Sequence, residues 1–161
     1  MPDPIILPSA LEHIALTPLF SIQLTVDGVQ KLGGDGVSQQ VGLIAGGHFT
    51  GERLNGIVLP GASDWQTIQP DGTIHLDCRL VLQTDDGATI AMSYRGIRSV
   101  SPELQARMNA GEAVDPAGYY FRTTPCFYTS APAYDWLNRI LAVATGHRLP
   151  TGPVYNVFAV A

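Results

Sequence analysis

Residues 73–96 read TIHLDCRLVLQTDDGATIAMSYRG, and this stretch decides the fold. Ile74, Leu76, Cys78, Leu80 and Leu82 alternate with His75, Asp77, Arg79, Val81 and Gln83. A period of two puts the first set on one face and the second on the other, as in a strand with one buried side. Asp85-Asp86-Gly87 then supplies turn chemistry, because Asp braces its own backbone and Gly accepts the left-handed conformation that tight hairpin loops need. The chain returns with Ile90, Met92 and Tyr94 on one face and Ala91, Ser93 and Arg95 on the other. The pattern predicts an antiparallel hairpin.

Outward from this hairpin, the same signals recur. Upstream, Pro60-Gly61 turns the chain ahead of Asp64 and Trp65, and Pro70-Asp71-Gly72 forms a second turn that launches the strand at Thr73. Phe20, Ile22, Leu24 and Val26 alternate with Ser21, Gln23 and Thr25, and Asp27-Gly28 reads as the end of that strand. Gly42 to Phe49 and Gly51 to Leu59 are apolar runs punctuated by glycine, which marks the bulges or bends that let a sheet curl. Downstream, Ser101 is placed to N-cap a short helix, with Pro102 at its first position, Glu103 in its first turn and Gly111 at its stop. A strand is expected over Tyr119 to Thr124, limited by Pro125. Tyr134 to Ala144 carry Trp136, Leu137, Ile140, Leu141 and Ala144 at helical spacing, and Val154 to Val160 read as the last strand.

Together these elements predict a mainly β chain: a single antiparallel β-barrel of about eight strands with two short helices, one domain over residues 1–161. Composition agrees, since 17 Gly and 12 Pro in 161 residues call for many turns between short elements. The formal charge of -5 and nine dispersed basic residues argue against nucleic acid or an anionic membrane as partner. Cys78 and Cys126 have no metal-ligand spacing and read as small hydrophobes in a reducing compartment. A cytoplasmic location is expected, because the N-terminus lacks a basic signal-peptide region and no apolar run reaches membrane-spanning length.

Seven segments then fall in a telling order: Gly46-Gly47-His48-Phe49-Thr50-Gly51, Leu59-Pro60-Gly61-Ala62-Ser63-Asp64-Trp65, Asp71-Gly72, Leu76-Asp77-Cys78-Arg79, Thr84-Asp85-Asp86-Gly87-Ala88-Thr89-Ile90, Tyr120-Phe121-Arg122-Thr123 and Tyr134-Asp135-Trp136-Leu137-Asn138. In that order they resemble the domain-of-unknown-function 3237 family of small bacterial and fungal proteins, across nearly the whole chain. The resemblance implies a single-domain β-barrel and carries no general reaction with it. The chain departs from the family pattern at Ala62-Ser63, where a second glycine is expected before the acid.

Candidate chemistry centres on Asp64 beside Trp65. A carboxylate against an indole can have its pKa raised by desolvation, as a general acid or base near neutral pH requires. The competing reading has Asp64 bracing its own turn and Trp65 plugging the barrel end. Arg122 and Tyr120 share one strand face; facing inward, Arg122 can hold a carboxylate or enolate and Tyr120 can donate a proton. Tyr94 is a further proton donor, and Trp65, His48 and Arg79 are candidate substrate contacts. His75, Asp77 and Arg79 share a face that reads equally as an ordinary solvated exterior. No GxSxG elbow, phosphate-cradling loop, HxH or HExxH occurs, so no cofactor or metal is expected.

Two functions follow from this set. One is a cofactor-independent acid/base enzyme of isomerase, cyclase, hydratase or lyase type, acting on a small oxygenated apolar metabolite in the barrel cavity. The other is a non-catalytic barrel that binds such a molecule. The expected partner is a small molecule, with no nucleic acid and no membrane; a homo-oligomer built through exposed strands or Trp136 is left open.

Overall fold

In a computed structural model that describes residues 1–161, nine strands follow one another: β1 (Leu16–Gly33), β2 (Ser38–Thr50), β3 (Gly56–Val58), β4 (Ala62–Ile68), β5 (Ile74–Thr84), β6 (Thr89–Ser99), β7 (Tyr120–Tyr128), β8 (Leu141–Leu149) and β9 (Gly152–Val160). Every pairing is antiparallel, and β1 bonds to β9 on one side and to β2 on the other. The sheet therefore closes into a barrel. β3 and β4 share the slot between β2 and β5: β4 pairs with the first half of each, and β3 with the other half. Closure pairs the first strand with the last, which removes the two long outer edges that an open sheet would present as a template for aggregation.

The hairpin at 73–96 forms with the expected alternation. Ile74, Leu76, Cys78, Leu80 and Leu82 are buried, while His75, Asp77, Arg79 and Val81 are exposed. At its turn, Thr84 donates its backbone N–H to the carbonyl of Ala88, and the Thr84 hydroxyl bonds Asp86. The second turn is equally local, with the Gly72 N–H donating to the Gln69 carbonyl and the Thr73 N–H to Asp71 Oδ1.

The glycine-rich segment behaves as its composition suggests. Gly47 lies opposite Leu24, and a Cβ there would overlap the carbonyl oxygen of Gln23. Here β2 crosses β1 too closely for any side chain. Asp27-Gly28, however, does not end β1. The register to β2 slips between Thr25 and Gly28, then the ladder resumes through Val29 to Lys31. The dipeptide is absorbed as a bulge within a long strand, because β2 continues to offer partners beyond it.

One α-helix, α1 (Pro102–Asn109), follows β6, and the Ser101 hydroxyl accepts from the Leu104 N–H as an N-cap should. The second helix is shorter than expected and of the 3-10 type, Pro132–Arg139, and the chain from Leu141 becomes β8. Leu137 is the residue of that turn that is buried. Beyond it, Ala142 and Ala144 alternate inward, and β8 pairs with β9 from Leu141 to Leu149. Ladder bonds to β9 outweigh the helical spacing of three or four apolar residues. β7 likewise passes through Pro125, which is buried opposite Tyr94. The missing N–H is tolerated because β7 pairs with β8 only at Arg122 and Thr123.

The barrel interior has two halves. Near the β5–β6 turn, Phe20 packs on Phe49 and Phe127 at centroid distances of 5.5 and 5.9 Å, with Leu82, Ile90 and Met92 beside them. This half is an apolar core. Toward α1, polar side chains enter the lumen. No helix is long and apolar enough to cross a membrane.

Candidate functional site

The site is built from one row of cross-strand neighbours. Gly42 of β2 lies opposite Asp64 of β4, Asp64 opposite Cys78 of β5, Cys78 opposite Tyr94 of β6, and Tyr94 opposite Pro125 of β7. Side chains in such a row point the same way. All five residues are buried, so the row faces the lumen.

β4 is the element that aims the acid. The Pro60-Gly61 turn ends just before Ala62, and from there Ala62, Asp64, Gln66 and Ile68 take one parity while Ser63, Trp65 and Thr67 take the other. Asp64 is 6% exposed and Trp65 52%. The strand separates the acid from the indole that adjoins it in sequence. Gln66 donates Nε2 to Asp64 Oδ2 at 2.9 Å, and Gln40 donates to Gln66 Oε1 at 2.7 Å. This amide relay fixes one carboxyl oxygen. The other, Oδ1, has no hydrogen-bond partner although it is buried.

Tyr94 meets Tyr155 of β9 across the lumen. Their hydroxyls are 3.1 Å apart, their rings 5.2 Å apart, and Phe121 packs edge-on against Tyr155 at 5.4 Å. Arg98 of β6 is 7% exposed, and its Nε is the second buried side-chain atom without a partner. Asp64, Gln66, Tyr94, Arg98, Arg148 and Tyr155 line a common cavity of about 250 Å³.

Electrostatics follow from that burial. Removal from water pushes the Asp64 pKa up, opposed by the Gln66 hydrogen bond and the Arg98 charge. Burial raises the Tyr94 and Tyr155 hydroxyls well above the usual phenol range, and it also pushes the Cys78 thiol up. These three groups stay protonated near neutral pH. Cys78 is therefore a packed thiol, whereas Cys126 is exposed on the exterior.

A raised Asp64 has a measurable consequence. The unfolded chain releases its proton at about pH 4, while the folded state keeps it to higher pH. The unfolded state then binds fewer protons, so stability from this group is greatest below about pH 4 and falls as pH rises through the folded value. Urea melts across this range are expected to show wild type losing stability relative to Asp64→Asn as pH increases. A constant difference would mean that Asp64 titrates normally.

The remaining predicted site residues lie elsewhere. Arg122 and Tyr120 do share a face, but it is the outer one: Arg122 donates to the Phe121 carbonyl at 2.9 Å and stacks over the Tyr120 ring at 5.3 Å. Phe121 and Thr123 take the inward parity of β7. Arg122, expected as an inward anion holder, therefore shares no cavity with Asp64. With Trp65, His75, Asp77 and Arg95, Tyr120 and Arg122 line a broad open groove of about 970 Å³ on the barrel exterior. Its one ion pair, Arg95 to Asp77 at 3.9 Å, is solvent-exposed and contributes little. His48 and Arg79 are exposed on outward positions of β2 and β5. Trp136 is half-buried beneath the Arg53 guanidinium, 3.7 Å from its ring. No group of three or more His, Cys, Asp or Glu side chains gathers in metal-binding proximity.

The family model for "Protein of unknown function (DUF3237)" matches residues 14–160. The chain belongs to the DUF3237 family. A UPF0311 protein of Clostridium acetobutylicum is 38% identical over 145 residues, covering 89% of this chain and 92% of the relative. A crystal structure of a conserved protein of unknown function from Rhodopseudomonas palustris superposes with a TM-score of 0.87 at 35% identity, covering 92% of this chain and 98% of its own. A structure described as an enzyme from Penicillium herquei superposes with a TM-score of 0.73 at 25% identity, covering 96% and 100%.

In this DUF3237 protein, sequence reading picked out Asp64 and Tyr94 of the lumenal set and missed Arg98, Tyr155, Gln66, Gln40 and Arg148. Two of these were within reach. Gln66 has the parity of Asp64, and Arg98 is four residues beyond Tyr94 on a strand that continues to Ser99 instead of ending at Gly96. Arg148 was hidden by the helical reading of 134–144. Tyr155 meets Tyr94 only through barrel closure.

Proposed function

We propose that this protein is a cofactor-independent acid/base catalyst, of isomerase, cyclase, hydratase or lyase type, acting on a small oxygenated apolar metabolite held in the barrel lumen. The observation that carries this reading is Asp64: a buried carboxyl with one oxygen held by Gln66 and the other unpartnered, in a cavity shared with a tyrosine pair. Holding one oxygen fixes the carboxyl plane and leaves Oδ1 to exchange a proton with a bound molecule. Burial keeps the acid form populated closer to neutral pH, where a general acid is most effective.

Tyr94 and Tyr155 supply the complementary group. One hydroxyl donates to the other, and the second retains a hydrogen for a substrate oxygen. A tyrosine hydroxyl gives its proton to a carbonyl oxygen while the ionised Asp64 Oδ1 takes one from the carbon beside the carbonyl; return of the first proton to the tyrosine and of the second to a different carbon completes an isomerisation with no further group. The apolar wall of Leu24, Ile44, Leu76 and Phe121 excludes water and favours an unsaturated or aromatic skeleton. The cavity volume lies just below the range of about 300–1,000 Å³ typical of drug-sized ligands, so the substrate is small. The Penicillium herquei neighbour, described as an enzyme, supports a catalytic reading over mere binding.

The test is proton exchange. A panel of small enones and β-dicarbonyl compounds incubated with the protein in deuterium oxide should include members that gain deuterium beside the carbonyl. Mass spectrometry should show that gain with wild type and not with Asp64→Asn. Equal incorporation by both proteins would remove Asp64 from the chemistry, and binding without exchange would favour a ligand-holding barrel.

A further inference from the structure

The cavity is not balanced in charge. Arg98 and Arg148 both line it, and Asp64 is the only carboxylate that does. Neither arginine belongs to any of the three ion pairs of the molecule, which join Arg95 to Asp77, Arg107 to Glu112 and Arg139 to Asp135. Arg148 has one long contact, from Nη1 to Asn109 Oδ1 at 3.4 Å, and Arg98 leaves Nε without an acceptor at 7% exposure. Asp64 spends one oxygen on Gln66 and does not reach either guanidinium within ion-pair distance. A buried guanidinium without a counter-charge is costly, and proteins keep one chiefly where a ligand supplies the anion.

Register explains how the two come together. Arg98 lies opposite Phe121 on β7 and Ile74 on β5, at the end of β6 that leads to α1. Arg148 lies opposite Pro153 on β9, and its backbone N–H donates to the Tyr119 hydroxyl, which also bonds His147 Nδ1 at 2.8 Å. The Phe121 ring lies 5.7 Å from the Arg98 guanidinium carbon. These apolar and polar neighbours hold two planar cationic forks at one end of the lumen.

We propose that Arg98 and Arg148 form an anion subsite, and that the substrate of the lumenal site is a small carboxylate whose unsaturated or aromatic body extends toward Asp64 and the tyrosine pair. The planar fork of arginine matches the two oxygens of a carboxylate. A carboxylate also carries its charge throughout binding, whereas an enolate formed only during turnover would leave both guanidinium groups uncompensated in the resting complex. This assignment rests on the lumen being the substrate site, and it adds the class of molecule that enters.

Benzoate and its neutral isostere benzamide are the probes, with binding to the intact protein followed by titration calorimetry. Wild type is expected to prefer benzoate by about tenfold or more, the scale of a charge-assisted hydrogen bond. Arg98→Gln should abolish that preference, and Arg148→Gln should reduce it. If Arg98→Gln does not fold, Arg98→Lys decides: charge without the planar fork should lose about threefold or more in benzoate affinity with benzamide unchanged. Asp64→Asn should keep the benzoate preference, so loss of proton exchange in that variant and loss of anion binding in the arginine variants fail independently. Equal affinity for the two probes in wild type, no benzoate binding, or an undiminished preference in the arginine variants would overturn the proposal.

Discussion

Asp64→Asn is expected to lower turnover by about 10³-fold while leaving the barrel folded, the middle of the range for removing a positioned general acid or base. The amide is nearly isosteric and keeps an oxygen to accept from Gln66, so the relay from Gln40 can persist. What it cannot do is give up or accept a proton at the unpartnered position. The loss should therefore appear in kcat with little change in KM, because binding uses the cavity walls and the arginines. Stability should move the other way. A buried carboxyl whose charged form is disfavoured by desolvation is replaced by a group with no charge to bury, so the variant should melt at or above wild type at neutral pH. Circular dichroism and steady-state kinetics on the same samples separate the two effects. A variant that is unfolded, or one that retains full activity, contradicts the placement of Asp64.

Gly47→Ala is expected to destabilise the barrel by about 4 kcal/mol, combining backbone strain and overpacking of roughly equal size. Gly47 has φ +153°, and a methyl group there would overlap the Gln23 carbonyl and approach Leu24 Cα to 3.1 Å. Both obstacles are backbone atoms of β1, and backbone within a closed ladder cannot swing aside as a side chain can. Native domains have about 5–15 kcal/mol of total stability, so this loss is a large part of the whole. Gly72→Ala provides the contrast. It has φ +86° in a turn where a methyl group would meet no atom within 4 Å, so only the conformational cost of about 1 kcal/mol applies. Urea denaturation of the pair should separate them clearly. Similar losses in both would mean that β1 and β2 can part locally without opening the barrel.

Local signals in the sequence were strong wherever one residue interacts with its own near neighbours. The 73–96 hairpin, the Ser101-Pro102 helix start and the Pro70-Asp71-Gly72 turn are each specified by contacts within a few positions, and each forms as its residues predict. Where a local signal competed with a long-range ladder, the ladder prevailed. Asp27-Gly28 became a bulge because β2 still had partners to offer, and the apolar residues from Leu141 onward became strand because β9 lay alongside.

The same distinction runs through the site. Strand period alone put Tyr120 with Arg122 on one face of β7, and Tyr94 with Met92 and Ile90 on one face of β6, whereas Asp64 and Trp65 read as neighbours after a turn and only β4 set them on opposite faces. Period cannot say which face is the inside, since that depends on which way the sheet curls and what fills the lumen. For β6 the apolar partners settled the matter in advance. On β7 both faces carry large aromatic residues, so only closure of the sheet revealed that Phe121 points inward and Arg122 outward. The barrel's central hairpin, its turns and the presence of an acid at position 64 were thus determined by the sequence read locally. That Asp64 shares its cavity with Arg98, Arg148 and Tyr155 instead of Arg122 was decided only by tertiary structure, because those side chains come from strands far apart in sequence that meet when β1 closes onto β9.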